Sequence, residues 1–295
     1  MAGQSRVIES PGSTMSTHSR DPAPFGRYAP AGFVERGIRA TRALGDGWVP
    51  RRLMMVIRRV VTRLLRGAPV DIEALGIRMR LHPQGNICEK RLLYTPGSFD
   101  REELRRLAAI LRDDFVFIDV GANVGAYSLF VASRTGPTAR VLAIEPQPAI
   151  FERLVFNIRQ NAFATIKAVE CAASDRAGEL TLFLDPRNSG ESSVRVVNHG
   201  GSQPIRIPAR TLLELIGEEG FDHVDAIKLD VEGAEDLVLE PYLRNAPAHL
   251  LARLVIVEDG SRQWHSDLLS LLTQTGYRQV ARTRLNLIFD REEGA

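Results

Sequence analysis

A buried strand that runs directly into a glycine turn constrains this chain more than any other feature. Residues 115–125 read FVFIDVGANVG, and the first six are mostly β-branched or aromatic, which is typical of a fully buried strand. Gly121 and Gly125 follow, and residues 124–131 take up helical spacing. The order strand, glycine turn, helix predicts the first unit of an α/β sheet that binds a nucleotide or nucleoside. Taken alone, such a turn is as typical of an ordinary strand-to-helix connection.

The next strand ends in a carboxylate. Residues 140–146 read RVLAIEP, a buried strand with Glu145 at its end. A carboxylate in this position can accept hydrogen bonds from both hydroxyls of a ribose. Glu145 follows Gly121 at close to the spacing of roughly 20 residues that is typical of a ribose-binding acid. The two strands together therefore favour a ligand that contains a ribose.

Two such ligands fit this pattern, a dinucleotide and S-adenosylmethionine. A pyrophosphate site favours three glycines in the order G-x-G-x-x-G, but the run from Gly121 reads GANVG, with Asn123 in place of the middle glycine. Asp119 also brings a negative charge to the turn, which repels a pyrophosphate and attracts an ammonium or sulfonium group. The residues favour S-adenosylmethionine, and a nicotinamide-dependent oxidoreductase stays open as the alternative.

Composition and charge narrow the classes of protein further. The 295 residues are 44% hydrophobic and 25% charged, as in soluble globular proteins, and a net charge of +2 gives no support for nucleic acid as a partner. Cys88 and Cys171 are far apart, so we expect no disulfide framework, no zinc site and a cytoplasmic location. No apolar run reaches the roughly 18 residues of a membrane span, and a secretory signal pattern is absent.

The chain divides into three predicted parts. Residues 1–50 are rich in Gly, Pro, Ser and Arg, and we predict a disordered basic tail. Residues 51–98 are predicted to form an extension, with a basic amphipathic helix at 51–66 followed by a hairpin. We expect the apolar side of this helix to face the catalytic domain or a second subunit, with a membrane surface as the alternative. Residues 99–295 alternate strands and helices and form the ligand-binding domain.

Polar residues also follow the later strands. Ser174 and Asp175 come after the third strand, where the adenine lies in this architecture; Asp175 could accept the exocyclic amino group or serve only as a turn residue. Asp230 and Glu232 come after the fourth strand, and Glu258 ends the fifth. Because ligands bind at the carboxyl ends of the strands in open α/β sheets, these carboxylates are expected at one crevice.

The assembled motifs resemble the FkbM-type family of S-adenosylmethionine-dependent methyltransferases. The matching stretches are FIDVGANVG at 117–125, IEP at 144–146, ASDRAGEL at 173–180, GESS at 190–193 and DAIKLDVEGAE at 225–235. The resemblance implies a class I methyltransferase fold, an α/β Rossmann-like sheet of seven strands with helices on both faces and the last strand antiparallel. It also implies methyl transfer, usually to a hydroxyl of a sugar, glycan or natural product. The residues expected to bind the cofactor are Asp119, Gly121, Asn123, Gly125, Glu145, Ser174, Asp175 and Asp230.

Transfer of a methyl group to a hydroxyl requires alignment of the acceptor and removal of its proton. Asp230 is the first candidate for the base, and Glu232 and Glu258 are the next. The same oxygens suit a divalent metal ion, but such clusters often serve only hydrogen bonds, so no metal is expected. A non-catalytic binding module on the same fold is a further alternative. The sequence names neither the acceptor nor the oligomeric state.

Overall fold

The computed structural model describes residues 6–9, 23–44, 48–184, 192–193 and 204–291. Its strands are β1 Arg6–Glu9, β2 Val70–Ala74, β3 Ile77–Leu81, β4 Val116–Val120, β5 Arg140–Ile144, β6 Ile166–Glu170, β7 Ala172–Ala173, β8 Gly178–Leu184, β9 Ser192–Ser193, β10 Pro204–Arg210, β11 Ala226–Leu229, β12 Leu254–Glu258, β13 Tyr277–Arg282 and β14 Asn286–Arg291. Its α-helices are α1 Gly32–Ala43, α2 Trp48–Leu65, α3 Ile87–Tyr94, α4 Arg101–Ile110, α5 Ala126–Ala132, α6 Pro148–Arg159, α7 Leu212–Glu219, α8 Glu235–Asn245 and α9 Leu268–Gln274.

The main sheet has the strand order β1-β6-β5-β4-β11-β12-β14-β13. The five strands from β6 to β12 run parallel, and β14 runs antiparallel to both of its neighbours. The predicted α/β sheet with an antiparallel last strand is confirmed. It gains an eighth strand, because β1 pairs antiparallel with β6 at the edge. Every residue of β4 and β11 is buried, as expected of parallel strands covered on both faces.

Two apolar clusters lie on opposite faces of the sheet. Along β4, Phe117 belongs to one cluster and Ile118 to the other, because successive side chains of a strand point to opposite faces. The first cluster includes residues of α5 and α6 and of the N-terminal helices, and the second includes residues of α7, α8 and α9. The helices therefore cover both faces and leave the carboxyl ends of the strands available for a ligand.

The predicted disordered tail is wrong for residues 23–44. Helix α1 buries Ile38 and Thr41, and the turn before it is held by a buried ion pair between Asp71 and Arg80. Asp71 accepts hydrogen bonds from the backbone at 26 and 28, and Arg80 donates to the carbonyls at 23 and 24. These contacts join residues 43–57 positions apart, so local periodicity could not reveal them. The remaining residues of the predicted tail, except 6–9 and 48–50, lie outside the described residues. The domain boundaries at 51 and 99 stay a prediction.

A second sheet of four strands, in the order β7-β10-β8-β9, lies beside the main one. Strand β10 at Pro204–Arg210 was not predicted, because its sequence PIRIPAR contains two prolines, which usually argue against an inner strand. Residues 185–201 lie mostly outside the described residues. Among them, Ser192–Ser193 forms the short strand β9, which pairs with β8.

Candidate active site

A cavity of about 700 Å³ opens at the carboxyl ends of β4, β5, β11 and β12, within the size range of roughly 300–1,000 Å³ typical of small-molecule sites. Seven of the predicted site residues line it: Asp119, Gly121, Asn123, Glu145, Asp230, Glu232 and Glu258. The sequence placed these carboxylates at the ends of four different strands. The structure brings them to one crevice.

The glycine turn is shaped by the strand beside it. Gly121 has φ +74, and a Cβ atom there would lie 1.9 Å from the carbonyl oxygen of Asp230. The amides of Gly121 and Ala122 both donate to the carbonyl of Ile144, at 2.9 Å each. Gly121 therefore allows the turn to cross the end of β11 at a distance that no other residue permits.

Asn123 and Gly125 have different roles. Asn123 adopts φ +50, its side-chain oxygen accepts from Asn86 at 3.1 Å, and its amide donates to Glu145 at 2.9 Å. Gly125 does not line the cavity. A Cβ atom there would lie 2.7 Å from Leu154, so Gly125 serves the packing of α5 on α6. The prediction that Gly125 contacts the ligand is replaced by a packing role.

Asp119 lies at the end of β4 with only 1% of its surface exposed. Its Oδ2 accepts from the amide and the hydroxyl of Ser128, at 3.0 and 2.6 Å. Its Oδ1 has no hydrogen-bond partner among the described residues. Burial raises the pKa of Asp119, and the nearby ammonium of Lys228 opposes that rise. A buried acceptor oxygen without a donor, on a residue that lines a cavity, suits a ligand with a cationic N–H group.

Glu145 is 5% exposed at the end of β5. Its two oxygens accept from the amides of Asn123 and Gln147, at 2.9 Å each. Burial raises the pKa of Glu145 to about 7, although these backbone donors lower it. The two hydrogen bonds fix the carboxylate against the glycine turn, and each oxygen keeps a second lone pair that can accept from a ligand hydroxyl.

The tip of the third strand differs from the prediction. Ala172 and Ala173 line the cavity, whereas Ser174 and Asp175 do not. Ser174 is buried, and its hydroxyl donates to Asp175 at 3.0 Å, while Asp175 itself is exposed. The reason is that β7 pairs with β10 and carries the chain away into the second sheet. The small apolar wall expected for an aromatic ring is present, but the expected polar partner is not beside it.

A lysine that the sequence analysis left unassigned organises the acids around Asp230. Lys228 is 4% exposed on β11, and its Nζ donates to Oδ2 of Asp230 at 2.7 Å. In the sheet Lys228 is the direct neighbour of Asp119, so both side chains point to the same face. Its Nζ also lies 5.2 Å from the centre of the Tyr127 ring. The spacing of two residues between Lys228 and Asp230 was the signal that could have revealed this pair.

The environment around Lys228 shifts the pKa values of Asp230 and Glu258 in opposite directions. Burial acts to raise the pKa of Asp230, but the ammonium of Lys228 outweighs it, and the pKa is lowered. Burial, together with the charges of Asp230 and Glu232, raises the pKa of Glu258. The two carboxyl groups shift each other's pKa in opposite directions, which favours an ionised Asp230 and a protonated Glu258 at neutral pH.

The buried side chain of Glu235 holds the loop that follows Asp230. Glu232 lines the cavity and adopts φ +55, a backbone conformation that residues other than glycine rarely take. Glu235, at the start of α8, accepts from the amides of Val231 and Gly233 and from the indole of Trp264, at 3.2, 3.0 and 2.7 Å. Glu235 therefore positions the backbone that presents Asp230 and Glu232.

A further part of the cavity wall comes from α3 and the start of α4, which the sequence did not assign to the site. Arg91 donates to Asp100 at 2.6 Å, and the hydroxyl of Tyr127 donates to the same carboxylate at 3.0 Å. Nearby, Glu103 accepts from Thr283 and Asn286 and ties the turn between β13 and β14 to α4. These residues lie far apart in the sequence, and no local pattern connects them.

Among the described residues, no group of three or more His, Cys, Asp or Glu side chains is placed to hold a metal ion. In the same part of the chain, no helix has the length and apolar character that crossing a bilayer requires.

Comparison with known proteins places the chain among methyltransferases. The sequence profile described as the methyltransferase FkbM domain matches residues 119–279. A relative named methyltransferase sdnD from Sordaria araneosa is 31% identical over 152 residues, which cover 42% of this chain and 58% of the relative. The 31-O-demethyl-FK506 methyltransferase FkbM of Streptomyces tacrolimicus is 30% identical over 182 residues, covering 52% of this chain and 69% of the relative.

Other similarities are partial. The AMB antimetabolite synthetase AmbE of Pseudomonas aeruginosa is 30% identical over 233 residues, covering 65% of this chain but 11% of that protein. The chain thus spans a little over half of sdnD and a small part of AmbE. Among solved structures, the METTL16 methyltransferase domain aligns with a TM-score of 0.47 and 16% identity, covering 89% of this chain and 93% of that one. Because the family profile covers more than half of its residues, the chain belongs to the FkbM methyltransferase domain family.

Proposed function

We propose that the protein is an S-adenosylmethionine-dependent methyltransferase that methylates a hydroxyl of a sugar, glycan or other natural product. The observation that carries the proposal is the convergence of Asp119, Glu145 and Asp230 on one cavity, with Oδ1 of Asp119 lacking a partner among the described residues. Family membership supports methyl transfer, and one relative is named for the methylation of an oxygen on a natural product.

The residues present fit S-adenosylmethionine. Glu145 is the group that would accept the ribose hydroxyls, and Asp119 with its unpartnered oxygen is the acceptor that would bind the cationic amino acid end. The backbone of Gly121 and Asn123 forms the floor between them. Ala172 and Ala173 form the small apolar wall that would face the adenine. A negative site of this kind favours a cationic ligand over a dinucleotide with its pyrophosphate.

When bound, S-adenosylmethionine supplies a methyl group on a positively charged sulfur that leaves readily as a neutral thioether. The chain then has two tasks, to hold the acceptor oxygen in line and to take its proton. As the new carbon–oxygen bond forms, the hydroxyl proton becomes strongly acidic, so a carboxylate of low pKa is still a competent acceptor. Asp230, kept ionised by Lys228, is the proton acceptor, and the proton passes to one of its carboxylate oxygens.

Glu258 supports this step without contacting the acceptor proton directly. The raised pKa of Glu258 favours its protonated form, which adds no second negative charge beside Asp230. Glu232 lies on the rim of the same cavity, where it is the next candidate for a contact to acceptor hydroxyls. We therefore assign Asp230 the role of base and Glu258 the role of a positioning residue.

The test measures cofactor binding and turnover separately. Isothermal titration calorimetry with S-adenosylmethionine and with NADH gives the binding preference, and transfer of a labelled methyl group to a panel of hydroxyl acceptors gives activity. Asp230→Asn keeps the shape of the side chain but cannot take the proton, so we expect turnover to fall by a factor of about 100 or more. The affinity for S-adenosylmethionine should change little.

Glu145→Gln is the complementary variant, and Glu240→Gln is a matched control, because Glu240 pairs with Arg244 on the surface of α8. Glu145→Gln should weaken S-adenosylmethionine binding, whereas the control should change neither quantity. Tighter binding of NADH than of S-adenosylmethionine would refute the methyltransferase assignment. Full turnover by Asp230→Asn would refute only the assignment of the base, and binding without turnover on every acceptor would favour a non-catalytic module.

A further inference from the structure

Helix α2 exposes a continuous apolar stripe. Leu53, Val56, Val60 and Leu64 are 49–60% exposed, and their spacing of three, four and four residues places them on one side of the helix. At 1.5 Å per residue the stripe extends for about 16 Å. Single exposed apolar side chains are ordinary on protein surfaces, but a contiguous row of them marks an interaction surface.

The stripe is not the side of α2 that packs on the protein. Val61 is 2% exposed, and α1 approaches it so closely that a Cβ atom at Gly37 would lie 2.4 Å from its side chain. On the same side, Thr62 shares a 2.8 Å hydrogen bond with Tyr94 of α3. Helix α3 in turn supplies residues to the wall of the cavity. The helix is therefore anchored beside the active site with its stripe facing outward.

The charge around the stripe has one sign. The sequence contains no acidic residue between Asp46 and Asp71, whereas residues 51–66 contain six arginines. Arg59 and Arg63 are exposed, and their spacing of four residues places them together along one flank of the stripe; Arg66 is exposed directly after the helix ends. A row of apolar side chains beside a row of arginines complements a surface that is apolar below and anionic above.

The positive charge beside the stripe favours one kind of binding partner over a second copy of the chain or a segment of the same chain. A second copy docked through the same helix would bring two sets of six arginines together, which is electrostatically unfavourable. Of the longer segments outside the described residues, 10–22 is polar apart from one methionine, and 194–203 carries three valines next to an arginine of the same charge as those of α2. We propose that α2 docks the protein on an anionic lipid bilayer, with the stripe among the acyl chains near the headgroups and the arginines against the lipid phosphates.

Vesicle flotation with the full-length protein tests the proposal. The probes are vesicles of phosphatidylcholine alone and vesicles of phosphatidylcholine mixed with phosphatidylglycerol. We expect binding to the anionic vesicles only, weakened by added salt because charged residues contribute. Arg59→Gln with Arg63→Gln should lower the partition coefficient by roughly tenfold or more, since each arginine near an anionic bilayer strengthens binding several-fold. Val56→Gln, Val60→Gln and Leu64→Gln together should lower it at least as much.

Matched controls lie elsewhere on the surface. Leu269→Gln removes an exposed apolar side chain from α9, and Arg253→Gln removes an exposed arginine before β12; neither should change vesicle binding. Unchanged S-adenosylmethionine binding shows that each variant is folded. Equal binding to neutral and anionic vesicles, or no binding to either, overturns the proposal. So does a dimer in analytical ultracentrifugation that the triple glutamine variant converts to a monomer, because the stripe would then be a subunit contact.

Discussion

Replacement of Gly121 by alanine tests the geometry on which the site depends. The new Cβ atom would lie 1.9 Å from the carbonyl oxygen of Asp230, and real Cβ atoms essentially never come closer than 3.0 Å, so the two backbones must separate by about 1 Å. Neither is free to move, because the amide of Asp230 donates to the carbonyl of Val120, and both glycine-turn amides donate to Ile144. The substitution therefore strains the contact between β4 and β11 itself.

The expected cost has two parts. A non-glycine residue at φ +74 costs about 1–2 kcal/mol, and forcing a methyl group into a packed contact costs about 1–3 kcal/mol more. Alanine recovers about 0.4–1 kcal/mol by restricting the unfolded chain. We expect a loss of about 2–4 kcal/mol in the free energy of unfolding, measured by urea denaturation, and a marked loss of S-adenosylmethionine affinity in calorimetry.

Gly220 provides the control, since it ends α7 with φ +62 and a Cβ atom there would meet nothing within 4 Å. Gly220→Ala carries the backbone strain alone and should cost about 1 kcal/mol with no change in ligand binding. If Gly121→Ala loses no more free energy of unfolding than Gly220→Ala, the close approach of the two strands does not exclude a side chain at residue 121, and the reasoning is refuted.

Three further predictions concern buried charge. Lys228→Met removes the ammonium that lowers the pKa of Asp230, so the acidic limb of the pH–turnover profile should move to higher pH; an unshifted limb would show that Asp230 is not the titrating base. Arg80→Met leaves a carboxylate that is 4% exposed without its partner and should cost about 3–5 kcal/mol in urea unfolding, while Arg78→Met on the same strand, at an exposed ion pair, should cost less than about 1 kcal/mol. Equal losses from both would contradict the structural role of the buried pair. Glu145 has a pKa raised from 4.5 to about 7 in the folded protein, so the ligand-free protein should lose stability as the pH rises from about 4.5 to about 7, by a few kcal/mol at most. Glu145→Gln should reduce that loss in thermal or urea unfolding followed across this pH range, and an identical pH dependence in both proteins would refute the assignment.

Much of the candidate site could be predicted from the sequence because its groups stand at strand ends. Asp119, Glu145, Asp230 and Glu258 each end or follow a buried apolar run, and parallel strands necessarily gather their carboxyl ends at one edge. The glycine turn could also be predicted, because Gly121 directly follows the buried strand β4. Local periodicity and the rule for parallel sheets were enough to place these residues together.

Other parts of the site depend on contacts that no local pattern contains. Asp100 stands directly before α4, in the position of a helix cap, yet its carboxylate makes no cap and instead binds Arg91 and Tyr127. Glu103 is joined to Asn286 across 183 residues of sequence. A carboxylate at a helix start is equally compatible with a cap and with a distant partner, and only the packing of the helix against the sheet decides between them.

The sequence by itself determined the parallel sheet and the carboxylates at the ligand edge, because these follow from apolar runs and strand direction, whereas the antiparallel last strand was implied by the family resemblance. Only the tertiary structure placed the buried ammonium of Lys228 against Asp230, which lowers the pKa of that carboxyl group. It also decided that Ser174 and Asp175 leave the cavity and that residues 23–44 are ordered. The physical reason is common to all three: burial and pairing are properties of groups brought together in space, and a sequence pattern records only neighbours along the chain.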